Sequence, residues 1–314
     1  MELKEKLSEQ IIEQLYTQKK SYNNFIYLGK GGTSVVYKYE SHAIKIILKE
    51  KFNESEYKLS EYFNELLDKQ ISINFLRVYN LFDFGNYKVI EMELADGDLY
   101  KWINQKNSDN EWIKMILQLI ISIRILQLKI NFFHRDLKPK NILFKKLNNK
   151  INFTYKINNK EYQIEMNTIF YLTDFTHSES NITEKNSKYQ YINIDTDLYE
   201  LENLPKRLKV DKLMNKYDIK EIIKIGDKSR LSENFKSYFD KEQSNLIFLK
   251  SYPEFIKQKY LKRALIYYLV ENKLIDYNLD VISDKISIIL SELTLLDLDE
   301  KIDQIYNNLI SDLK

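Results

Sequence analysis

The sequence predicts an α+β chain in which a small, strand-rich N-terminal lobe with one helix precedes a larger helical lobe. Three observations predict it. Short runs rich in Tyr, Val and Ile fill much of residues 25–92, and β-branched and aromatic residues suit a pleated, half-buried surface. After Gly97 the apolar spacing turns helical. Glycine is scarce at 6 in 314 residues, yet Gly29, Gly31 and Gly32 fall together; average usage of about 7% would give roughly 22.

Taken in order, Leu3, Leu7, Ile11, Ile12, Leu15 and Tyr16 recur at helical spacing. Residues 1–20 are therefore expected to form one amphipathic helix docked on the core. Strands are expected at 25–28, 35–39, 43–47, 78–82 and 87–92. Between the third and fourth, residues 54–69 carry Leu59, Phe63 and Leu67 on a helical stripe. Residues 102–130 are apolar on most sides and predict one buried helix. Residues 151–166 alternate around Asn158-Asn159, a period-two pattern about a turn pair that predicts a hairpin. Beyond Pro205 the pattern is helical, most clearly in the stripe Ile302, Ile305, Tyr306, Leu309, Ile310 and Leu313. The lobes, 21–93 and 99–314, are expected to meet at a hinge over 93–98.

Composition excludes several classes. Forty-eight basic and 46 acidic residues leave a net charge of +2, no field strong enough to call for nucleic acid or an anionic membrane. Absence of Cys excludes disulfides and thiolate metal sites, and His42, His134 and His177 are too scattered for a zinc pattern. The most apolar stretch, residues 115–128, is interrupted by Gln118, Ser122, Arg124 and Gln127, short of the ~20 apolar residues of a membrane span. Glu2, Glu5 and Glu9 interrupt the first twenty residues, so no signal peptide is expected. A soluble, cytoplasmic chain is the expectation, with no oligomeric state indicated.

Two constellations carry chemistry. The first is Gly29-Lys30-Gly31-Gly32-Thr33-Ser34-Val35-Val36, followed by Ala43-Ile44-Lys45. Glycines between two strands let backbone N–H groups approach a polyphosphate, and a lysine on the next strand can reach its oxygens. Taken alone, the glycine turn is equally a hairpin turn. Lys45 lies among Ala43, Ile44, Ile46 and Ile47, where an unpaired ammonium is costly, so an anionic partner is expected. The second is His134-Arg135-Asp136-Leu137-Lys138-Pro139-Lys140-Asn141. It resembles the catalytic loop of eukaryotic-type protein kinases, and Lys138-Pro139 is similar to the serine/threonine branch. Downstream, Asp174-Phe175-Thr176 stands where that family has D-F-G. Asp83-Phe84-Gly85 spells the motif literally but lies before the hinge, and reads as a strand–turn–strand connection.

The resemblance implies a bilobal protein-kinase fold and Mg-ATP (Mn²⁺ being possible) as cosubstrate, with a protein as phosphoryl acceptor. It implies that Gly29, Gly31, Gly32 and Ser34 cover the ATP phosphates. Lys45 holds the α and β phosphates, and Asn141 and Asp174 hold the metal. Asp136 accepts the substrate hydroxyl proton, and Lys138 neutralises charge on the transferring phosphoryl. Val36, Ala43 and Leu143 match the adenine-sandwiching positions. Met92-Glu93-Leu94-Ala95 is the expected hinge, offering backbone hydrogen bonds to the base, and Asp98 is expected at the ribose. Asp197 is expected to support the backbone of the catalytic loop.

For the carboxylate that pairs with Lys45, Glu56 is preferred because Leu59 and Phe63 follow at i+3 and i+7 and Asn53 can cap the helix. Glu54 and Glu61 compete. Thr176 in place of glycine is expected to restrict backbone flipping. Arg135 is the residue that clamps an activation-loop phosphate in the family, with Ser178, Ser180, Thr183 and Ser187 as candidate acceptors. The family's A-P-E sequence is absent and the segment after Asp174 is short, which leaves peptide specificity open. The excess length between Asn141 and Asp174 is either a docking ribbon or an extended strand pair. The leading expectation is an active serine/threonine kinase. A pseudokinase-like interaction module and a kinase of small molecules or lipids are the alternatives.

Overall fold

Ser8 divides the opening apolar stripe, which forms two helices rather than one. Its backbone is extended and its hydroxyl accepts the Ile11 N–H at 3.3 Å, capping α2 (Glu9–Gln18) after a short α1 (Leu3–Lys6). Leu3, Leu7, Ile12 and Leu15 are buried in one cluster with Phe25, Val35, Tyr37, Ile44, Ile46 and Val89. Each such Leu or Ile contributes about 1.5–3 kcal/mol, so core packing accounts for this segment. The Tyr37 hydroxyl donates to the Leu15 carbonyl at 2.6 Å.

The computed structural model describes residues 3–182, 197, 201, 204–216, 254–271 and 298–312. By contact the chain divides into residues 1–201 with 291–314, and residues 202–290. The first unit holds β1 (Phe25–Lys30), β2 (Ser34–Tyr39), β3 (His42–Leu48), β4 (Val78–Phe84) and β5 (Tyr87–Glu93). They form one antiparallel sheet in the order β1-β2-β3-β5-β4. Asp83 and Phe84 end β4, and Gly85 turns the chain into β5 at φ +53°, the structural role expected of that tripeptide.

Helix α3 (Glu54–Asp68) is capped by Asn53, whose side chain accepts the N–H groups of Ser55 and Glu56 at 3.0 and 3.2 Å. It buries Leu59, Phe63 and Leu66, so Leu66 takes the core position expected of Leu67. The predicted helix over 102–130 is two: α4 (Leu99–Ile103) and α5 (Asp109–Ile130). A capping box at Ser108 and Glu111 starts the second, the Ser108 N–H donating to Glu111 Oε2 at 2.8 Å.

The expected hairpin is longer than its alternating core. Strands β7 (Ile142–Ile157) and β8 (Lys160–Leu172) pair along their length around Asn158 at φ +52°, and the two-residue β6 (Gly97–Asp98) pairs with β7. The excess length lies in these paired strands. It packs on α5, and its tip meets α8 (Leu298–Asp312), where Asp303 accepts from the Tyr162 hydroxyl at 2.8 Å and pairs with Lys160. Arg124 of α5 grips Asp299 of α8 through two bonds of 2.8 and 3.0 Å.

Gln118 and Ser122, which interrupt the apolar stretch in the sequence, serve a buried polar network. Asn74 donates to Gln118 and to the Phe170 carbonyl, and accepts from Ser122 and Tyr155, at 2.7–3.0 Å. Every bond crosses between elements, so the network holds α5 and the ribbon in one register. In the second unit α6 (Leu204–Lys216) packs on α7 (Glu254–Glu271) with an Asp211–Arg263 pair at 2.7 Å. Among the described residues no helix is long and apolar enough to cross a membrane.

Candidate active site

The catalytic loop is built on a buried carboxylate. Asp197, fully buried, accepts the backbone N–H of His134 at 2.6 Å and of Arg135 at 2.9 Å, the support expected of it. Arg135 has φ +65°, a conformation costing a non-glycine residue about 1–3 kcal/mol, and the charge-assisted bonds from Asp197 hold it there. His134 Nε2 faces the Thr173 carbonyl at 3.0 Å, so Nε2 is the protonated ring nitrogen. Phe133 and Glu179 exchange two backbone bonds of 2.9 Å, which lays the segment after Asp174 along the loop.

Asp136, Lys138 and Asn141 meet. The Lys138 ammonium pairs with Asp136 Oδ2, and the Asn141 amide donates to the Asp136 carbonyl at 2.9 Å and to Oδ2 at 3.1 Å. The Asn141 carbonyl accepts from the Thr173 N–H and hydroxyl, each at 3.0 Å. That clasp brings Asp174, the next residue, beside the loop. Asp174 itself sits at φ +66°, and Phe175 is buried against Phe63 of α3 at 4.7 Å and His134 at 5.3 Å.

Across the site, Lys45 Nζ is 2.9 Å from Glu56 Oε1, both side chains about one-fifth exposed. Lys45 has the anionic partner its apolar strand demands, and that partner is Glu56 rather than Glu54 or Glu61. Lys45 is opposite Val36 on β2 and Ile90 on β5. In the glycine turn the Gly31 N–H donates to the Ser34 carbonyl at 2.8 Å. A Cβ built at Gly29 or Gly32 meets nothing within 4 Å, whereas one at Gly31 comes within 3.0 Å of the Ser34 hydroxyl. Ala43 is buried opposite Met92, and Leu143 pairs with Asp98 and Tyr171.

Along the expected hinge, groups of Glu93 and Asp98 already have partners within the protein. The Glu93 N–H is committed to the Arg77 carbonyl at 2.8 Å, so Glu93 is not among the backbone donors available to a base; Leu94 follows it. Its carboxylate accepts from Lys145 at 2.6 Å and the Tyr171 hydroxyl at 3.0 Å. Burial, then the Glu93 charge, pushes the Tyr171 hydroxyl pKa up and keeps it a donor. Asp98 Oδ1 accepts the Lys101 N–H at 3.0 Å and so caps α4.

Two partners escaped sequence reasoning. Arg135, expected to await a phosphate, pairs with Glu179 at 3.2 Å, their side chains 7% and 18% exposed. Ser178 and Ser180 are buried, the Ser178 hydroxyl donating to the Phe175 carbonyl at 2.7 Å, so neither is presented as an acceptor. Thr183 and Ser187 lie outside the described residues. An acidic residue soon after Asp174 was the available signal for Glu179. The second is a Thr176 contact with Glu56; the sequence marks Thr176 only as a lost glycine.

The donor set suits a hard divalent cation. Asn141 and Asp174 carry side-chain oxygens of the kind such a cation takes; among the described residues there is no cluster of three or more His, Cys, Asp or Glu. Mg²⁺ is typically held this way, by one or two carboxylates completed by substrate phosphates and water.

This fold and constellation are those of a protein kinase domain. The family model for the protein kinase domain matches residues 22–192. The chain is 34% identical over 188 residues to a probable serine/threonine-protein kinase of Dictyostelium discoideum, covering 55% of this chain and 25% of that protein. It is 30% identical over 133 residues to Myosin light chain kinase A of the same organism, covering 40% of this chain and 45% of that protein. The chain thus spans less than half the length of either relative. It belongs to the eukaryotic-type protein kinase superfamily.

Proposed function

We propose that the chain transfers the γ-phosphoryl group of Mg-ATP to serine or threonine hydroxyls of protein substrates. The observation that carries this reading is the Lys138–Asp136–Asn141 cluster, formed while Lys45 and Glu56 are paired. Lys138-Pro139 and the names of the two relatives favour serine and threonine over tyrosine.

Phosphoryl transfer is catalysed mainly by positioning and electrostatics. Lys45, held by Glu56, binds the α and β phosphates, and N–H groups of the glycine turn other than that of Gly31 cover them. Asp136 orients the acceptor hydroxyl and takes its proton as oxygen bonds to the γ-phosphorus and the bond to ADP breaks. Lys138 turns from Asp136 to the γ-phosphoryl oxygens. Asn141 and Asp174 would hold Mg²⁺ or Mn²⁺, which when bound would neutralise charge on the phosphates. A general base contributes about 10²–10⁴-fold, and electrostatic contacts to developing charge contribute comparably.

The test is incubation with labelled Mg-ATP, generic protein acceptors, and small-molecule and lipid alcohols, followed by phosphoamino-acid analysis. Phosphoserine or phosphothreonine that disappears in Lys45→Met and Asp174→Asn is the expected result. Nucleotide binding without transfer supports an interaction module instead, and label confined to the non-protein acceptors contradicts a protein kinase.

A further inference from the structure

Thr176 stands where the family has glycine, and its side chain does what a glycine cannot. Its hydroxyl oxygen lies 3.0 Å from Glu56 Oε2 and 3.0 Å from Asp174 Oδ1. The other Glu56 oxygen, Oε1, accepts from Lys45 Nζ at 2.9 Å. One side chain therefore joins the lysine–glutamate pair to Asp174, the carboxylate proposed to hold the cation. The adjoining ring contact of Phe175 on Phe63 of α3 gives the junction a firm base.

A threonine hydroxyl carries a single proton. Between two carboxylates at equal distance it donates to one at a time, and the other oxygen meets its lone pairs. Were the Asp174 oxygens occupied by a cation, the Thr176 hydroxyl proton would be left to Glu56 Oε2. We propose that Thr176 is a positioning residue that couples cation binding at Asp174 to the Lys45–Glu56 pair and, through Glu56, to α3. The coupling is reciprocal, so a nucleotide held by Lys45 raises cation affinity by the same factor. This inference rests on the site reading under Proposed function.

The experiment uses the full chain with Thr176→Val, which keeps the shape and removes the hydroxyl, Thr176→Ser, which keeps the hydroxyl, and Asp174→Asn. Dissociation constants of a fluorescent ADP analogue are measured with and without MgCl₂, and amide hydrogen exchange is followed along α3. In the wild type Mg²⁺ tightens nucleotide binding and slows exchange in α3. In Thr176→Val the gain from Mg²⁺ falls about fivefold or more, the lower end of typical coupling, and exchange in α3 no longer responds; Thr176→Ser restores both. Thr176→Ala gives the same loss if the valine variant does not fold. Retention of the full Mg²⁺ gain and the α3 response in Thr176→Val or Thr176→Ala, with loss in Asp174→Asn, overturns the inference and leaves the site reading standing. Absence of any Mg²⁺ gain in the wild type, or its persistence in Asp174→Asn, overturns the site reading and this inference with it.

Discussion

The Asp197 carboxylate accepts the Arg135 N–H at 2.9 Å across 62 positions of sequence. Through that bond and its companion to His134, a fully buried charge fixes the backbone on which Asp136 stands. Asp197→Asn turns one acceptor into a donor facing an N–H. Hydrogen bonds to buried charge are worth about 1.5–3 kcal/mol each, so a loss of about 3 kcal/mol in stability is expected. Turnover should fall more than ATP affinity. Denaturant titration beside nucleotide binding checks both, and unchanged stability contradicts the assignment.

Arg135 is already met by a carboxylate, with consequences for activation. After incubation with Mg-ATP, mass spectrometry should find no phosphate on Ser178 or Ser180, because both are buried. Glu179→Ala, which removes the carboxylate paired with Arg135, should lower turnover. Stoichiometric phosphate on either serine contradicts this account of the segment.

The ribbon tip should respond to acid. Burial raises the Asp303 pKa, but hydrogen bonds from Lys160 and Tyr162 outweigh it and leave the carboxyl below its usual value. A depressed pKa stabilises the fold fully above the unfolded value, about 3.9 for Asp, and the contribution is lost as pH falls through the folded pKa. Asp303→Ala should therefore cost about 1 kcal/mol at neutral pH, given the modest worth of exposed pairs, and less at pH 3. Fluorescence of Trp102 and Trp112, which pack at 4.7 Å in this unit, reports its unfolding. An equal cost at both pH values contradicts the linkage.

Gly85 separates motif from function. At φ +53°, with a Glu9 carboxylate oxygen 1.9 Å from where a Cβ would stand, Gly85→Ala should destabilise by about 1–2 kcal/mol, the left-handed penalty. Nucleotide affinity should be unchanged, because this D-F-G is a turn. A loss of nucleotide binding without loss of stability contradicts that reading.

Much of this was legible along the chain, where local rules decide. Alternating Tyr, Val and Ile marked the strands, and Glu56 could be chosen because Asn53 caps its helix and Leu59 and Phe63 define the inward face. What was missed depends on contacts between distant segments. Nothing near Gln118 in sequence tells that it meets Asn74, or near Arg135 that it meets Glu179. Helix ends at Ser8 and Ser108 were hidden because the apolar stripe continues across the cap while the backbone does not. At the hinge, the bond from the Glu93 N–H to the Arg77 carbonyl likewise joins residues 16 positions apart.

In the proposed reaction Asp136 accepts the proton of an acceptor hydroxyl whose phosphate donor is bound elsewhere in the site, by Lys45, Asn141 and Asp174. Single-turnover transfer from Mg-ATP to a protein acceptor, with ATP affinity determined in parallel for wild type and Asp136→Asn, tests it most directly. The expected transfer rate is reduced by about 10²–10⁴-fold with the dissociation constant of ATP nearly unchanged. Transfer near the wild-type rate in Asp136→Asn contradicts it.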